Sequence, residues 1–384
     1  MSRRRSRPLL RIAGFFASAA VLASLVWCRQ RTSRPLASPS LSSSGSLAVD
    51  PPRFSVVPSA AQGSPWDSPA ACESALRAGQ RLPRANGDAA RIVTWNVRWF
   101  PYGETPHASA EPRTDLSWLA CAIAWLDADV IALQEVVRDD RGTQAMDTVL
   151  RRVSELTGGT WKAAFDSCAG QGRQHVGIVW DARRVDAGPP GEIAALNPSS
   201  TACGSNLRPG FGTYFKWPGG PSTHVVAAHL DSGTEERDYT HRVASWQRMA
   251  EAWDELQSRT ADSDVVILGD FNTMGCHGRK GCEPAVSPED ELRRMDTVLR
   301  SLRAPFRRLP IDGPCTEYYH GRGQWLDQIV VSAGMAEAPA GVQVRVQGYC
   351  GAARCASLRS NPEAYERLSD HCPVVLDLPR RNED

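Results

Sequence analysis

Most of this chain lacks an excess of positive charge. The first 34 residues hold eight Arg and no acid, which leaves the remainder with 36 Lys and Arg against 43 Asp and Glu, a net of −7. A protein whose main task is to grip duplex DNA through its phosphates shows a basic stripe. Tight nonspecific DNA binding is therefore disfavoured, whereas cleavage of a phosphodiester is not. The chain has no internal repeat, which argues against a repeat array, and no compositional break after residue 90. With 42% hydrophobic and 23% charged residues among 384, it has the profile of a globular protein and lacks that of a disordered or fibrous one.

The N-terminus differs from the rest. Arg3, Arg4, Arg5, Arg7 and Arg11 precede an uncharged run from Ile12 to Cys28, and Arg29 and Arg31 follow it. Residues 1–31 thus read as an export signal or a single membrane anchor, and arginines on both flanks leave cleavage and retention both open. Residues from about 32 to 70 are rich in Ser, Pro, Ala and Gly, which cannot bury a core. The sequence predicts a flexible linker over 32–88, the folded part beginning near residue 71 to 90, and one α/β domain over 89–380.

Of 11 cysteines, ten lie beyond Cys28, an even number that outside the cytoplasm predicts disulfides. Cys276 with Cys282, and Cys350 with Cys355, are close enough in sequence to staple short loops; the spacing around His277 is too wide for a usual zinc knuckle. An extracytoplasmic, monomeric protein is the expectation.

Strands alternate with helices along the body. RIVTWNV (Arg91 to Val97), DVIALQE (Asp129 to Glu135), HVGIVW (His175 to Trp180), THVVAAH (Thr223 to His229), DVVILGD (Asp264 to Asp270), DQIVVS (Asp327 to Ser332) and PVVLDL (Pro373 to Leu378) have the β-branched, apolar character of buried strands. Leu116, Leu119, Ile123 and Leu126 repeat at helical spacing in a helix that Thr114 can cap, and Tyr239, Val243, Trp246, Ala250 and Trp253 mark one face of another. The stretch from Gly188 to Arg208 reads as a long loop.

Polar residues cluster where these strands end. Asn96 closes the first, Glu135 the second and His229 a later one; Asp270 and Asn272 close the next, Asp327 begins another, and Ser369, Asp370 and His371 precede the last. A buried carboxylate or amide is costly unless paired, so their recurrence at strand ends points to convergence on one rim of a sheet. Several carboxylates without matching cations repel one another unless a divalent ion neutralises them. Hard oxygen ligands favour Mg²⁺, with Mn²⁺ as the alternative. A metal, a carboxylate to activate water and a histidine acid are what phosphoester hydrolysis requires.

TWNVRW, LQEV, AHLDSG, GDFNT, LDQIVVS and LSDHCPV, in this order, resemble the successive motifs of the endonuclease/exonuclease/phosphatase superfamily, whose fold is DNase I-like. The resemblance implies a four-layer α/β sandwich, two packed mixed β-sheets flanked by helices, with the site at one end. It implies Glu135 as the principal metal ligand with Asn96 beside it and Asp370 as a second carboxylate. Asp270 would orient or deprotonate the attacking water, Asn272 would hydrogen-bond the phosphate, and Asp327 would fix the ring of His371. His229 would be a candidate general acid. Arg173 and Gln174 lie where a substrate-contacting polar group is often found, and the remaining histidines, His175, His224, His241, His277 and His320, have no motif support. As substrate, nucleic acid is favoured over a phospholipid of the sphingomyelin type. A lipid enzyme would expose an apolar hairpin, for which Phe211 to Gly220 is the one candidate, and the Trp325-Leu326-Asp327-Gln328 stretch lacks the Arg typical of inositol polyphosphate 5-phosphatases.

Overall fold

The computed structural model describes residues 63–105, 111–167, 174–197, 208, 210–313 and 315–380. All belong to the compact unit Ser59–Asp384. The expected export segment, the expected linker up to residue 62, Arg173, Cys168 and Cys203 lie outside the described residues. Among the described residues no helix is long and apolar enough to cross a membrane.

The first half of the chain supplies α1 (Pro69–Arg77), β1 (Ala90–Phe100), α2 (Leu116–Leu126), β2 (Val130–Val137), α3 (Asp140–Thr157), β3 (Trp161–Phe165), β4 (Gln174–Asp181), β5 (Asp186–Ala187) and β6 (Gly191–Ile193). After these come β7 (Gly210–Lys216), β8 (Ser222–His229), α4 (Glu236–Gln247), α5 (Met249–Arg259), β9 (Val265–Asp270), α6 (Pro288–Ser301) and β10 (Phe306–Arg308). The last part holds β11 (Glu317–Tyr319), β12 (Arg322–Gln324), β13 (Asp327–Ser332), β14 (Gln343–Val346), α7 (Gly348–Ala353), α8 (Glu363–Arg367) and β15 (Val374–Leu378).

Two mixed sheets form. One has the order β14-β15-β1-β2-β4-β3; the other runs β10-β13-β9-β8-β7-β5, with β6 also on β7. Each contains one parallel pair, β1 with β2 and β8 with β9, so that four strands deliver their C-terminal ends to the same kind of rim.

Alternation explains how the second sheet is covered on both faces. Val225, Ala227, Val266, Leu268, Ile329 and Val331 join the core shared with the first sheet, while Val226, Ala228, Val265, Ile267 and Val330 pack under Val243, Trp246, Met249, Leu292 and Met295 of α4, α5 and α6. Side chains of a strand point alternately to opposite faces, and burying each contributes about 1.5–3 kcal/mol. Helices α2 and α3 join the first sheet's core through Trp118, Ile123, Val149 and Val153. The result is the four-layer α/β sandwich.

Several expectations change. Residues 63–88 are part of the body rather than a linker: Trp66 is buried against Trp95 and Trp125 at ring distances of 6.0 and 5.7 Å, and Cys72 is bridged to Cys121. Asp115, not Thr114, caps α2, its carboxylate accepting from the Trp118 amide at 2.9 Å. The expected single helix over Tyr239 to Trp253 breaks at Arg248 into α4 and α5, with the Arg248 guanidinium donating to the Asn197 carbonyl at 2.8 Å. The supposed loop from Gly188 contributes β6 and a 3₁₀ turn.

Cysteine pairing is also corrected. Cys276–Cys282 forms, which commits both thiols, but Cys350 bonds Cys372 and Cys355 bonds Cys315. The intervening α7 turns Cys350 inward, where its amide donates to the Cys372 sulfur at 3.2 Å, and a left-handed Arg354 redirects the chain toward the β11–β12 hairpin. Four disulfides among the described residues point to an oxidising compartment outside the cytoplasm. Because Cys72 and Cys121 are 49 residues apart, replacing both with Ala is expected to destabilise the protein by about 2–5 kcal/mol. Urea denaturation measures this, and an unchanged midpoint would show that α1 is held by packing alone.

Candidate active site

The inner-face pattern of the second sheet ends in polar side chains. Ala227 is followed two residues later by His229, Leu268 by Asp270, and Ile329 is preceded by Asp327, so all three share the parity that faces the first sheet. Strand register aligns them: His229 pairs with Asp270, and Asp270 with Asp327, across three adjacent strands. Gly269 stands at φ +153°, where a Cβ would lie 1.9 Å from the Ala228 carbonyl oxygen, so the glycine lets β9 carry Asp270 flush against β8.

The first sheet brings its polar residues through backbone irregularity. Register shifts between Asn96 and Phe100 on β1 and between Leu133 and Val136 on β2. Glu135 itself has φ +63°, and Asn272 beyond β9 has φ +49°. Left-handed backbone at a residue other than glycine stores strain and is concentrated at functional sites.

The two sheets meet at the Asp270 carboxylate. Asn96 Nδ2 donates to Asp270 Oδ2 at 3.0 Å from the facing sheet, and the Asn272 amide donates to Oδ1 at 2.9 Å. Asn272 in turn donates its side-chain amide to the Leu230 carbonyl at 3.0 Å. Those are the partners that a carboxylate and an amide at the end of a core strand require. His229 Nε2 stands 3.7 Å from Asp270 and 3.9 Å from Glu135. His371 Nε2 stands 3.7 Å from Asp270, while its Nδ1 is 2.8 Å from Asp327 Oδ2.

The last motif is pinned from both sides. Ser369 Oγ donates to the Asn96 carbonyl at 2.7 Å and accepts from the His371 amide at 3.0 Å, and Trp95 Nε1 donates to the His371 carbonyl at 3.1 Å. Asp370 forms an ion pair with Arg98 at 3.4 Å. Gln174 begins β4 opposite Val137, at the same end of the sheet as Glu135.

Charge crowding raises the carboxyl pKa values. Burial, with the Asp370 charge adding to it, pushes Glu135 up to about 7. Burial also moves Asp270 up to about 6, where the positive charge of His371 opposes the rise and Asp327 adds to it. His371 is held well above its ordinary value: burial alone would lower it, but Asp327 and Asp270 raise it more. Burial drives His229 the other way, assisted by the positive charges of Arg208 and His371.

The donor set fits a divalent cation. Ligand atoms of Glu135, His229 and Asp270 all lie within 4.8 Å of one another, and like charges this close call for a counter-ion. The Glu135 side chain keeps 16% exposure, so solvent reaches it, and one of its oxygens accepts from the Trp99 amide at 3.0 Å. Asn96, whose side chain lowers the Glu135 pKa, and Asp370, whose charge raises it, complete the oxygen-rich surroundings. Asp370 is not one of the three grouped ligands, and its carboxylate pairs with Arg98.

Two residues were not anticipated from sequence. Arg208, just before β7, has its Nε buried without a hydrogen-bond partner among the described residues, and its charge interacts with Glu135 and Asp270. Its only sequence signal is an arginine directly preceding an aromatic strand. Glu317 begins β11 and bridges to His371; burial, against the pull of His371, pushes its carboxyl up to about 8. Nothing in the TEYY stretch singled it out.

The profile of the Endonuclease/Exonuclease/phosphatase family matches residues 93–371. The chain belongs to that family, whose members are metal-dependent phosphoesterases. No curated protein matches the chain. Among solved structures, it is similar in fold to an endonuclease/exonuclease/phosphatase from Bacteroides vulgatus, with 14% identity, 76% of this chain and 99% of the other covered, and a TM-score of 0.50. The human Nocturnin catalytic domain with bound sulfate anion (14% identity, 76% and 94% covered, TM-score 0.47) and TDP2 from Caenorhabditis elegans (15%, 80% and 79%, 0.46) also align.

Raised carboxyl pKa values mean that the folded state keeps protons the unfolded chain has released, so stability falls as pH climbs from the unfolded values through the folded ones. His371 acts in the same direction, its contribution full below 6.5 and lost as pH passes its raised folded value. His229, lowered, acts oppositely, and only below about 6.5. In EDTA the melting temperature is therefore expected to drop from pH 6.5 to 8.5, and Mg²⁺ to raise it more at pH 8 than at pH 6. Thermal melts read this; equal Mg²⁺ shifts at both pH values would contradict a carboxylate-held ion.

Proposed function

We propose that the chain is an exported Mg²⁺-dependent phosphodiesterase that hydrolyses nucleic acid by in-line attack of water, without a covalent enzyme intermediate. The observation that carries this reading is the single cross-strand row of His229, Asp270 and Asp327, closed from the facing sheet by Asn96 and Glu135. Mg²⁺, or Mn²⁺, held by Glu135 with Asn96 and Asp370 nearby would polarise a phosphoryl oxygen and offset the gathered negative charge.

The chain's own groups do the rest. Asp270, with a carboxyl pKa near 6, is a base suited to neutral pH and takes a proton from the attacking water. His371, charged and held by Asp327 at 2.8 Å, faces the phosphoryl oxygens as charge builds there, with the carboxylate fixing its ring. Asn272 has a second amide hydrogen beyond the one given to Leu230, available to the phosphate. Arg208 adds a further positive charge beside Glu135. His229 is neutral at pH 7 in the free protein, and a bound phosphodiester anion would raise its pKa toward that of a general acid. Gln174 is a proposed substrate contact at the adjoining edge, and Arg173, outside the described residues, is proposed with it from its place in the sequence.

One observation weighs against the lipid alternative. The candidate membrane hairpin, Phe211 to Gly220, is mostly strand β7, with Phe211, Phe215 and Trp217 buried in the core. Among the described residues Tyr319 is the one large hydrophobic side chain that is exposed. An N-terminal signal or anchor fits the oxidising compartment that the disulfides require.

Asp270→Asn or His371→Ala is expected to lower turnover of an activated phosphodiester by about 10²–10⁴-fold with the circular dichroism spectrum of the fold retained, and EDTA to abolish it. Plasmid DNA, RNA, sphingomyelin and inositol phosphates tested side by side identify the substrate class. Activity undiminished in chelator, or near-normal turnover of Asp270→Asn, would remove the metal or the base from this mechanism.

A further inference from the structure

A cavity of about 860 Å³ opens beside the catalytic row. Its walls are the loop after β9, the first turns of α6, the end of β10 and the β11–β12 hairpin with Trp325 behind it. None of these residues is assigned a part in the hydrolysis. Two of the walls nevertheless continue directly from the catalytic row. Thr273 follows Asn272, Trp325 lies two residues before Asp327, and the hairpin rides on the last motif, with the Tyr318 amide donating to the Asp370 carbonyl at 3.1 Å. Thr273 Oγ1 donates to the Trp325 carbonyl at 2.6 Å, and the Phe271 amide to that of Leu326 at 2.9 Å, so the cavity wall and the row are tied together.

The lining has a definite chemistry. The Trp325 ring presents aromatic surface, with the Arg308 guanidinium 5.1 Å from its centroid. Arg308 is itself held by Asp296 through bonds of 3.0 and 2.8 Å, which fixes its plane and balances its charge. Met274 and Leu292 add apolar surface, and Tyr319, 57% exposed, stands at the margin. Gln324, half-buried, and His277 and Glu289, both exposed, add polar groups to the lining.

That combination separates two kinds of occupant. A hydrocarbon tail would satisfy Met274 and Leu292 but would strip water from Gln324, His277 and Glu289 without replacing their hydrogen bonds, at a cost. A heteroaromatic base offers flat apolar faces to stack and acceptor atoms at its edge. Resting on the phosphodiesterase reading above, we propose that this cavity is a nucleoside subsite, binding a base of the nucleic-acid strand against Trp325 and Tyr319 while its phosphate lies over the catalytic row.

Two measurements test it, one of them independent of catalysis. First, binding of etheno-adenosine 5′-monophosphate is followed by fluorescence polarisation in EDTA, for the full exported chain and for Tyr319→Ala and Trp325→Leu. Second, kcat/KM for the p-nitrophenyl ester of thymidine 5′-monophosphate is divided by that for methyl p-nitrophenyl phosphate. Both the affinity and this ratio are expected to fall about 10-fold in each variant, the size of one lost base–aromatic stack. An unchanged ratio with unchanged nucleotide affinity, or sphingomyelin hydrolysis that the two variants impair while nucleotide binding is absent, would overturn the subsite. If the parent cleaves neither ester, the hydrolase reading falls, and the binding arm still decides the cavity. Tyr319 is exposed, so its variant decides alone should Trp325→Leu fail to fold.

Discussion

The Asp270 carboxylate is the point on which the rest of the site depends. It sits at the end of a core strand, 2% exposed, and both sheets reach it: Asn96 from one, Asn272 from its own strand, with His229 and His371 on either side. A carboxylate so placed cannot be solvated by bulk water, and its pKa near 6 records that cost. The same desolvation strengthens every charge interaction around it. In the proposed mechanism a divalent ion and the cationic His371 would offset this negative field, and the phosphate anion would follow those cations.

Holding this arrangement requires the loops beyond the strands to be rigid. Arg242, fully buried, pairs with Glu291 at 2.7 Å and also donates to the carbonyls of Asp231, Gly233 and Gly275, which lie after His229 and after Asn272. Glu291 in turn accepts from the Gly275 amide at 2.5 Å. One buried ion pair therefore sets both loops, and breaking it from one side would leave an uncompensated charge in the core. Three of the disulfides add to this: Cys276–Cys282 follows Asn272, Cys350–Cys372 holds the residue after His371, and Cys315–Cys355 holds the residue before Thr316. Thr316 Oγ1 accepts from the Asp327 amide at 3.0 Å. At the far end of the sandwich Arg91 and Asp377, both buried and 2.6 Å apart, lock β1 to β15 without any part in the chemistry.

Much of this was legible in the sequence, for a physical reason. A strand buried on both faces is a short apolar run whatever its neighbours, so β1, β2, β4, β8, β9, β13 and β15 stand out, and a polar residue closing such a run has to be explained by a partner. What pattern could not give were contacts set by tertiary geometry. The pairing of Cys350 depends on how α7 turns, the start of the body on Trp66 finding Trp95 and Trp125, and the break at Arg248 on a carbonyl 51 residues away. Arg208 and Glu317 belong to the same class. Each is an ordinary charged residue in sequence, and only the folding of β7 and β11 toward the row brings it near Glu135 or His371.

The account stands or falls on whether the crowded oxygens hold a cation. Anomalous diffraction from crystals soaked in Mn²⁺ locates such an ion without reference to activity. The arrangement described predicts one strong peak at about 2.1 Å from a Glu135 carboxylate oxygen, between the two sheets and beside Asp270. A peak elsewhere on the protein with Glu135 unliganded, or none at saturating Mn²⁺, would contradict it.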